Sequence, residues 1–245
     1  MKSTIITVGL DHAAPVPLHT DYRSGTFVGF EVDILHALAD RLHVTLNYHI
    51  SYWKDIVRDL QQGKTNLVCS AATVSADKEN IVSFSRSYLN FHLCTVVNTK
   101  NRLAWSALQG KKIGVREDSE AKYLLMKSFP EATLILSDSN DELYSKLRSM
   151  EVDALVDDSP IAHGFTVNDP NLQLGELIPG TESSYAIMVR KNDKALLAAI
   201  NNVLQQLEEE GQLEQLKSKW FNGARLRLEG YPEQVSFRAN RSIHN

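Results

Sequence analysis

Four short clusters of carboxylates and hydroxyls stand out in the chain: Asp11; Thr73 and Ser75 with Lys78; Asp118 and Ser119; and Asp157, Asp158 and Ser159. Each follows an apolar run with the composition of a strand, at 3–9, 66–71, 112–115 and 154–156. Such groups can meet the charges of a small polar ligand, or a carboxyl among them can serve as a general acid. A single Asp after a strand is as well explained as a helix N-cap. Four clusters at equivalent places carry more weight, because ligands of open α/β sheets sit outside the carboxyl ends of the strands.

Other chemistries lack their signatures. The chain has no G-x-S-x-G, no H-E-x-x-H, no P-loop and no G-x-G-x-x-G. Its 8 histidines are scattered, and none pairs convincingly with a second ligand at metal spacing, so neither a metal nor a cofactor is expected. Cys69 and Cys94 each lie in an apolar run and read as buried thiols, with a bridge between them left open. With 26 basic and 30 acidic side chains the net charge is −4, which excludes a generally basic nucleic-acid binder.

The elements that must carry these clusters follow from periodicity. A length of 245 residues with 43% hydrophobic content suffices for two small domains with real cores. Strands are expected at 3–9, 44–48 and 66–71, with helices at about 30–42 and 53–62 between them. The stretch from Asp11 to Gly25 reads as a loop with Pro15 and Pro17. A second cycle has strands at 93–97, 112–115, 133–136, 154–156 and 184–189, and helices at 120–129 and 141–150. A helical stretch at 195–220 is broken by Gly211. This alternation predicts parallel sheets with helices on both faces, in two α/β units. No run approaches the roughly 18 apolar residues of a membrane span. Residues 1–10 lack the apolar core of a signal peptide, which leaves a cytoplasmic chain or a mature or excised segment with an added Met.

The clusters belong to longer pieces whose order carries a resemblance. They include Val8-Gly9-Leu10-Asp11, Gly29-Phe30-Glu31-Val32-Asp33-Ile34, Trp53 with Leu60 and Gly63-Lys64, and Thr73-Val74-Ser75-Ala76-Asp77-Lys78. Further along come Val82-Ser83-Phe84-Ser85-Arg86-Ser87-Tyr88, Gly110-Lys111-Lys112-Ile113-Gly114-Val115, Val152 to Asp158, and Glu210-Gly211 through Trp220-Phe221. In this order they resemble the extracellular solute-binding proteins of family 3, which serve polar amino acid importers.

The resemblance implies a periplasmic-binding-protein-like type II fold: two α/β lobes joined by two hinge strands, with a ligand cleft between them. Lobe one would take residues 1–91 and 188–222, and lobe two 92–187. The hinges would fall near Tyr88 to Cys94 and Ser183 to Ile187, and 223–245 would be an irregular tail. It further implies roles, residue by residue. Asp158 matches the acid that meets the ligand's ammonium, helped by the Ala71 carbonyl. Ser119, beside Asp118, matches a carboxylate-binding hydroxyl at a helix N-terminus. Thr73 matches a hydroxyl of lobe one, Trp53 an aromatic wall, and Asp11 a contact to the ligand's distal group. Lys78 stands where the family's carboxylate clamp is Arg; a Lys is a point charge without the planar fork. The aromatic usually opposite Trp53 is replaced by a loop in which His12 is the available substitute. Glu31 and Asp33 are read as an acidic first helical turn.

The expected function is to bind a small polar amino acid, or a related small carboxylate, and deliver it to an ABC importer. The partners would be that ligand and a membrane ABC permease, with no nucleic acid, and the chain would act as a monomer in the periplasm or at the cell surface. The alternatives are a ligand-sensing domain of a membrane receptor, or a dehydratase of the cyclohexadienyl type using Asp11, Asp118 or Asp157.

Overall fold

The computed structural model describes residues 4–12, 18–23 and 26–221. The expected tail at 223–245, and part of the loop after Asp11, lie outside the described residues. The described chain divides into two compact units, one built from the residues up to Asn90 together with those from Ser183 onward, the other from Phe91–Glu182.

The first unit begins with β1 (Thr4–Asp11), β2 (Thr20–Arg23), β3 (Thr26–Val28), α1 (Phe30–Leu42), β4 (Val44–Ser51), α2 (Trp53–Gln61), β5 (Leu67–Val68), α3 (Ala76–Glu79) and β6 (Val82–Phe91). The second contains β7 (Leu93–Asn98), β8 (Lys112–Arg116), α4 (Glu120–Ser128), β9 (Thr133–Ser137), α5 (Asn140–Arg148), β10 (Ala154–Asp158), α6 (Ser159–Thr166) and β11 (Leu172–Leu177). The chain then returns to the first unit with β12 (Ser183–Arg190), α7 (Lys194–Glu209) and α8 (Gln212–Phe221).

Each unit has a five-stranded sheet, ordered β4-β1-β5-β12-β6 in the first and β11-β7-β10-β8-β9 in the second. The expected parallel sheets are in fact mixed. β1 runs parallel to β4 from Thr4↔Val44 to Asp11↔Ser51, and parallel to β5, whereas β12 enters antiparallel to β5. In the second sheet β8, β9 and β10 are parallel, and β7 is antiparallel to β10. A parallel neighbour needs a crossover of a dozen or so residues, and strands that arrive or return without one come in the opposite sense.

Other departures have local causes. The strand expected at 66–71 is only Leu67–Val68, because Ala71 turns the backbone to φ 47°. The stretch read as a loop contains the β2–β3 hairpin. Helix α6 escaped notice because it is short and carries Gly164 and Pro160, poor helix formers in its interior and a good one at its start. β11 carries Gly175, where a Cβ would lie 2.2 Å from Thr95 Oγ1.

The cores follow the apolar stripes. In the first unit Ile56, Leu60, Val68, Ala72, Val82 and Met188 form one buried cluster, with Trp53 and Phe84 packed on it. In the second, Cys94, Val96, Leu143, Tyr144, Leu147 and Leu155 belong to another. Cys69 and Cys94 are both free and fully buried. Asp33, on the first turn of α1, accepts hydrogen bonds from Lys219 Nζ and Trp220 Nε1, each at 2.6 Å, and so fastens α8 to α1. No helix among the described residues is long and apolar enough to cross a membrane.

Candidate functional site

In the first unit the parallel strands β4, β1 and β5 end side by side, and the candidates of that unit leave from those ends. Asp11 closes β1 and is buried; its amide donates to Ser70 Oγ at 2.8 Å. Its Oδ1 lies 3.1 Å from His12 Nδ1. Trp53 opens α2 directly after β4. That helix is seated by buried Asp59, which accepts from Lys64 Nζ at 2.7 Å and also from Ser51 Oγ. The hydrogen bonds from Lys64 and then Ser51 pull the Asp59 carboxyl down to about 2.

Ala71 and Thr73 lie just past β5. The Ala71 amide donates to Glu31 Oε1 at 2.6 Å, and buried Thr73 bridges to Tyr185 of β12. Lys78, half-buried on the single turn α3, holds its ammonium 5.7 Å from the centre of the Trp53 ring, within reach of a cation–π attraction. Two candidates chosen from the sequence for separate reasons are therefore in contact. His12 packs edge-on against Tyr52, ring centres 4.4 Å apart, so the aromatic partner of this region comes from the residue before Trp53. Tyr52 is 55% exposed, and the sequence reading passed over it.

In the second unit the parallel strands β8 and β10 end at one edge of the sheet. Asp118 and Ser119 follow β8, and Asp158 ends β10. Ser119 caps α4: its Oγ accepts from the Lys122 amide at 3.3 Å and donates to the Arg116 carbonyl at 2.8 Å. In this structure that hydroxyl's proton is directed into the chain's own turn. What the helix start offers an anion is its backbone N–H groups. Asp118 is exposed.

Asp158 is half-buried at the start of α6, and its amide donates to Asp157 Oδ1 at 2.8 Å. Asp157 is buried and also accepts from Tyr144 Oη at 3.0 Å. Burial, and then the neighbouring charge of Asp158, push the Asp157 carboxyl up to about 7, against the opposing pull of these hydrogen bonds and of Arg116. Burial first, then Asp157 and Asp158, raise the Cys94 thiol well above its ordinary value. Asp157 entered the sequence reading as a member of the carboxyl-end cluster and as a candidate general acid, and Tyr144 and Arg116 not at all; three apolar residues before an acidic pair hide which acid points inward.

The largest surprise is Glu31. Read as a first-turn acid, it is fully buried and joins His19, Tyr88 and the Ala71 amide. Its position two residues before Asp33 on α1 gave no sign of this, since only the return of β6 and the approach of His19 enclose it. Among the described residues no group of three or more His, Cys, Asp or Glu is placed to hold a metal ion.

Comparison with known proteins places this geometry. The chain is 28% identical over 210 residues to the arginine-binding extracellular protein ArtP of Bacillus subtilis, covering 83% of this chain and 82% of that one. It is 26% identical over 221 residues to the L-cystine-binding protein TcyJ of Escherichia coli, covering 88% and 82%. Among solved structures, an ancestral arginine-binding protein bound to arginine superposes with a TM-score of 0.82 at 27% identity, covering 91% of this chain and all of the other. The profile of one family matches residues 6–223, and on that evidence the chain belongs to the bacterial extracellular solute-binding proteins, family 3.

Proposed function

We propose that this chain binds a polar amino acid outside the cytoplasm and hands it to a membrane ABC permease, without turning it over. The observation that carries the reading is the acidic pair at the end of β10. Burial and the neighbouring Asp158 raise the cost of ionising Asp157, and an arriving cation relieves it. An α-ammonium at Asp158, assisted by the Ala71 carbonyl, is that cation. The α-carboxylate would meet the start of α4 and Lys78, while Trp53 with Tyr52 and His12 would wall the side chain and Asp11 would reach its distal end.

These groups come from both units. The reading therefore treats 1–91 with 188–222, and 92–187, as bodies that close on the ligand through the strands near 88–94 and 183–187. A zwitterion leaving water must have both charges met, so closure would be driven by the ligand itself. Relatives named for arginine and cystine support an amino acid with a polar or charged side chain.

The test is a thermal-shift screen of the twenty protein amino acids and cystine at pH 7. A true ligand at a hundredfold excess over its Kd should add about 2.7 kcal/mol of stability, several degrees in Tm. No shift from any of them would overturn the proposal.

A further inference from the structure

We infer that Glu31 and His19 are positioning residues of the amino acid site, a buried ion pair that sets the end of β1 at Asp11 and the turn at Ala71. The inference rests on the proposed function, because Asp11 and Ala71 matter as ligand contacts only in that reading.

The bonding pattern suits a cationic imidazole. His19 Nε2 lies 3.0 Å from the Asp11 carbonyl, which can only accept, so that nitrogen carries a proton. His19 Nδ1 lies 2.6 Å from Glu31 Oε2, and a carboxylate there accepts as well. With both ring nitrogens donating, the imidazole is cationic. Burial opposes that charge, but the hydrogen bond and charge of Glu31, followed by the Asp11 carbonyl and carboxylate, outweigh it and hold the His19 pKa above 6.5. Glu31 Oε1 then serves the other side, accepting from the Ala71 amide at 2.6 Å and from Tyr88 Oη. One carboxylate thus joins both candidate ligand segments through charge-assisted hydrogen bonds.

The backbone shows what the pair accomplishes. Among the described residues three non-glycine residues have positive φ: His43, Ala71 and Met150. His43 is the C-cap of α1, and Met150 directly follows the C-cap of α5, where the left-handed conformation is ordinary. Ala71 ends no helix and holds φ 47° just where its amide meets Glu31. A left-handed alanine in a bend persists when its surroundings over-determine it, and such residues gather at functional sites. The other end of the pair is set as firmly. Glu31's own amide donates to Leu18 O at 3.0 Å, and Gly29, at φ 144°, leaves no room for a Cβ, which would come within 2.1 Å of that same oxygen.

The groups facing the pair are Asp11 from β1, Cys69 after β5, Tyr88 from β6 and, beyond it, Tyr185 of β12. Titration in this cluster therefore centres on His19. Burial raises both the Cys69 thiol and the Tyr88 phenol well above their ordinary values, out of the neutral range.

The test compares the native chain with E31Q, E31A and H19Q. Binding is measured calorimetrically with whichever of the twenty L-amino acids shifts the native Tm most, and the Ala71 amide and His19 ring are followed by NMR. E31Q keeps an acceptor for Ala71 and Tyr88 but loses the charge, so it should move the Ala71 amide upfield and lower the His19 pKa. It should also weaken binding about tenfold, the scale of one charge-assisted hydrogen bond. E31A should weaken binding more than E31Q, and if E31A does not fold, E31Q carries the test. A purely structural pair would lower Tm in E31Q while leaving Kd within about twofold of native and the Ala71 amide unmoved, and that result overturns the inference. If no amino acid binds the native chain, the functional reading is what fails, and the Ala71 amide alone decides whether the pair sets the turn.

Discussion

Two buried carboxylates, one per unit, stand behind the candidate ligand residues, and the chain treats them in opposite ways. Glu31 in the first unit has a cationic histidine on one oxygen and an amide with a phenol on the other. Asp157 in the second has a phenol, an amide and another acid beside it, with Arg116 only tempering the result. The first arrangement is electrostatically complete and locks backbone. The second combines burial with a neighbouring negative charge, which together raise the cost of ionising Asp157 even with Arg116 nearby. A binding protein gains from such a division: one unit with its bonds preorganised, the other with a carboxyl whose ionisation a nearby cation favours.

The most severe way to break the contrast is Asp158→Ala. Truncating one partner of a buried, hydrogen-bonded charge pair typically costs about 2–5 kcal/mol, which is a factor of roughly 30 to several thousand in Kd. Calorimetry with the ligand found by screening should show a loss in that range with little change in Tm of the unliganded chain. Unchanged affinity would mean that the ammonium is met elsewhere than at the acidic pair of the second unit.

Next in size is the pH dependence that Asp157 imposes. Its folded pKa is about 7 against 3.8 for an ordinary Asp, so between those values the folded chain binds more protons than the unfolded one. Stability from this group is therefore greatest at low pH and falls as pH rises from near 4 through 7. Asp157→Asn removes the titration and keeps an acceptor for Tyr144. Its Tm relative to native should climb steadily between pH 4 and pH 8, by several degrees over that range. Ligand binding sharpens the same point. An ammonium beside Asp158 favours ionised Asp157, so binding near pH 7 should release a fraction of a proton, read from calorimetry in buffers of different ionisation enthalpy. Release that persists in Asp157→Asn would assign the proton to another group.

The contrast also explains what was legible in the sequence. Strands and helices whose apolar residues repeat over two or more turns were readable: α1, α2, α5 and the pair α7–α8 fall close to their expected places. So were the carboxyl-end clusters, because hydroxyls and acids after an apolar run are a local pattern. Lys78 and Trp53 could be named but not joined, since their approach depends on where the chain places α3 beside the start of α2. Glu31 does stand in the acidic first turn of α1, but its burial is made by residues far off in sequence and left no local sign. A periodicity argument sees Glu31 and Asp33 as two acids in one helical turn, yet one anchors α8 and the other organises the site. The strand expected at 184–189 is β12, but its antiparallel sense, and the short α6 and β11, escaped for the same reason: the tertiary setting that makes them stable leaves little local trace.

The smallest predicted effect tests how the second unit offers itself to an anion. Ser119 Oγ accepts from the Lys122 amide and donates to the Arg116 carbonyl, so it is engaged as a cap. Ser119→Ala should cost about 1 kcal/mol of stability, the usual loss for an N-cap serine. The α4 amides and the helix dipole remain in place, so ligand affinity should change by less than about threefold, which is well under 1 kcal/mol. Asp158→Ala gives the opposite pattern, a large change in Kd with a small change in Tm. Finding that Ser119→Ala weakens binding as much as Asp158→Ala would show that the hydroxyl turns from Arg116 to the ligand on binding. The second unit would then rearrange its own backbone hydrogen bonds to meet the ligand, where the first unit keeps its bonds fixed.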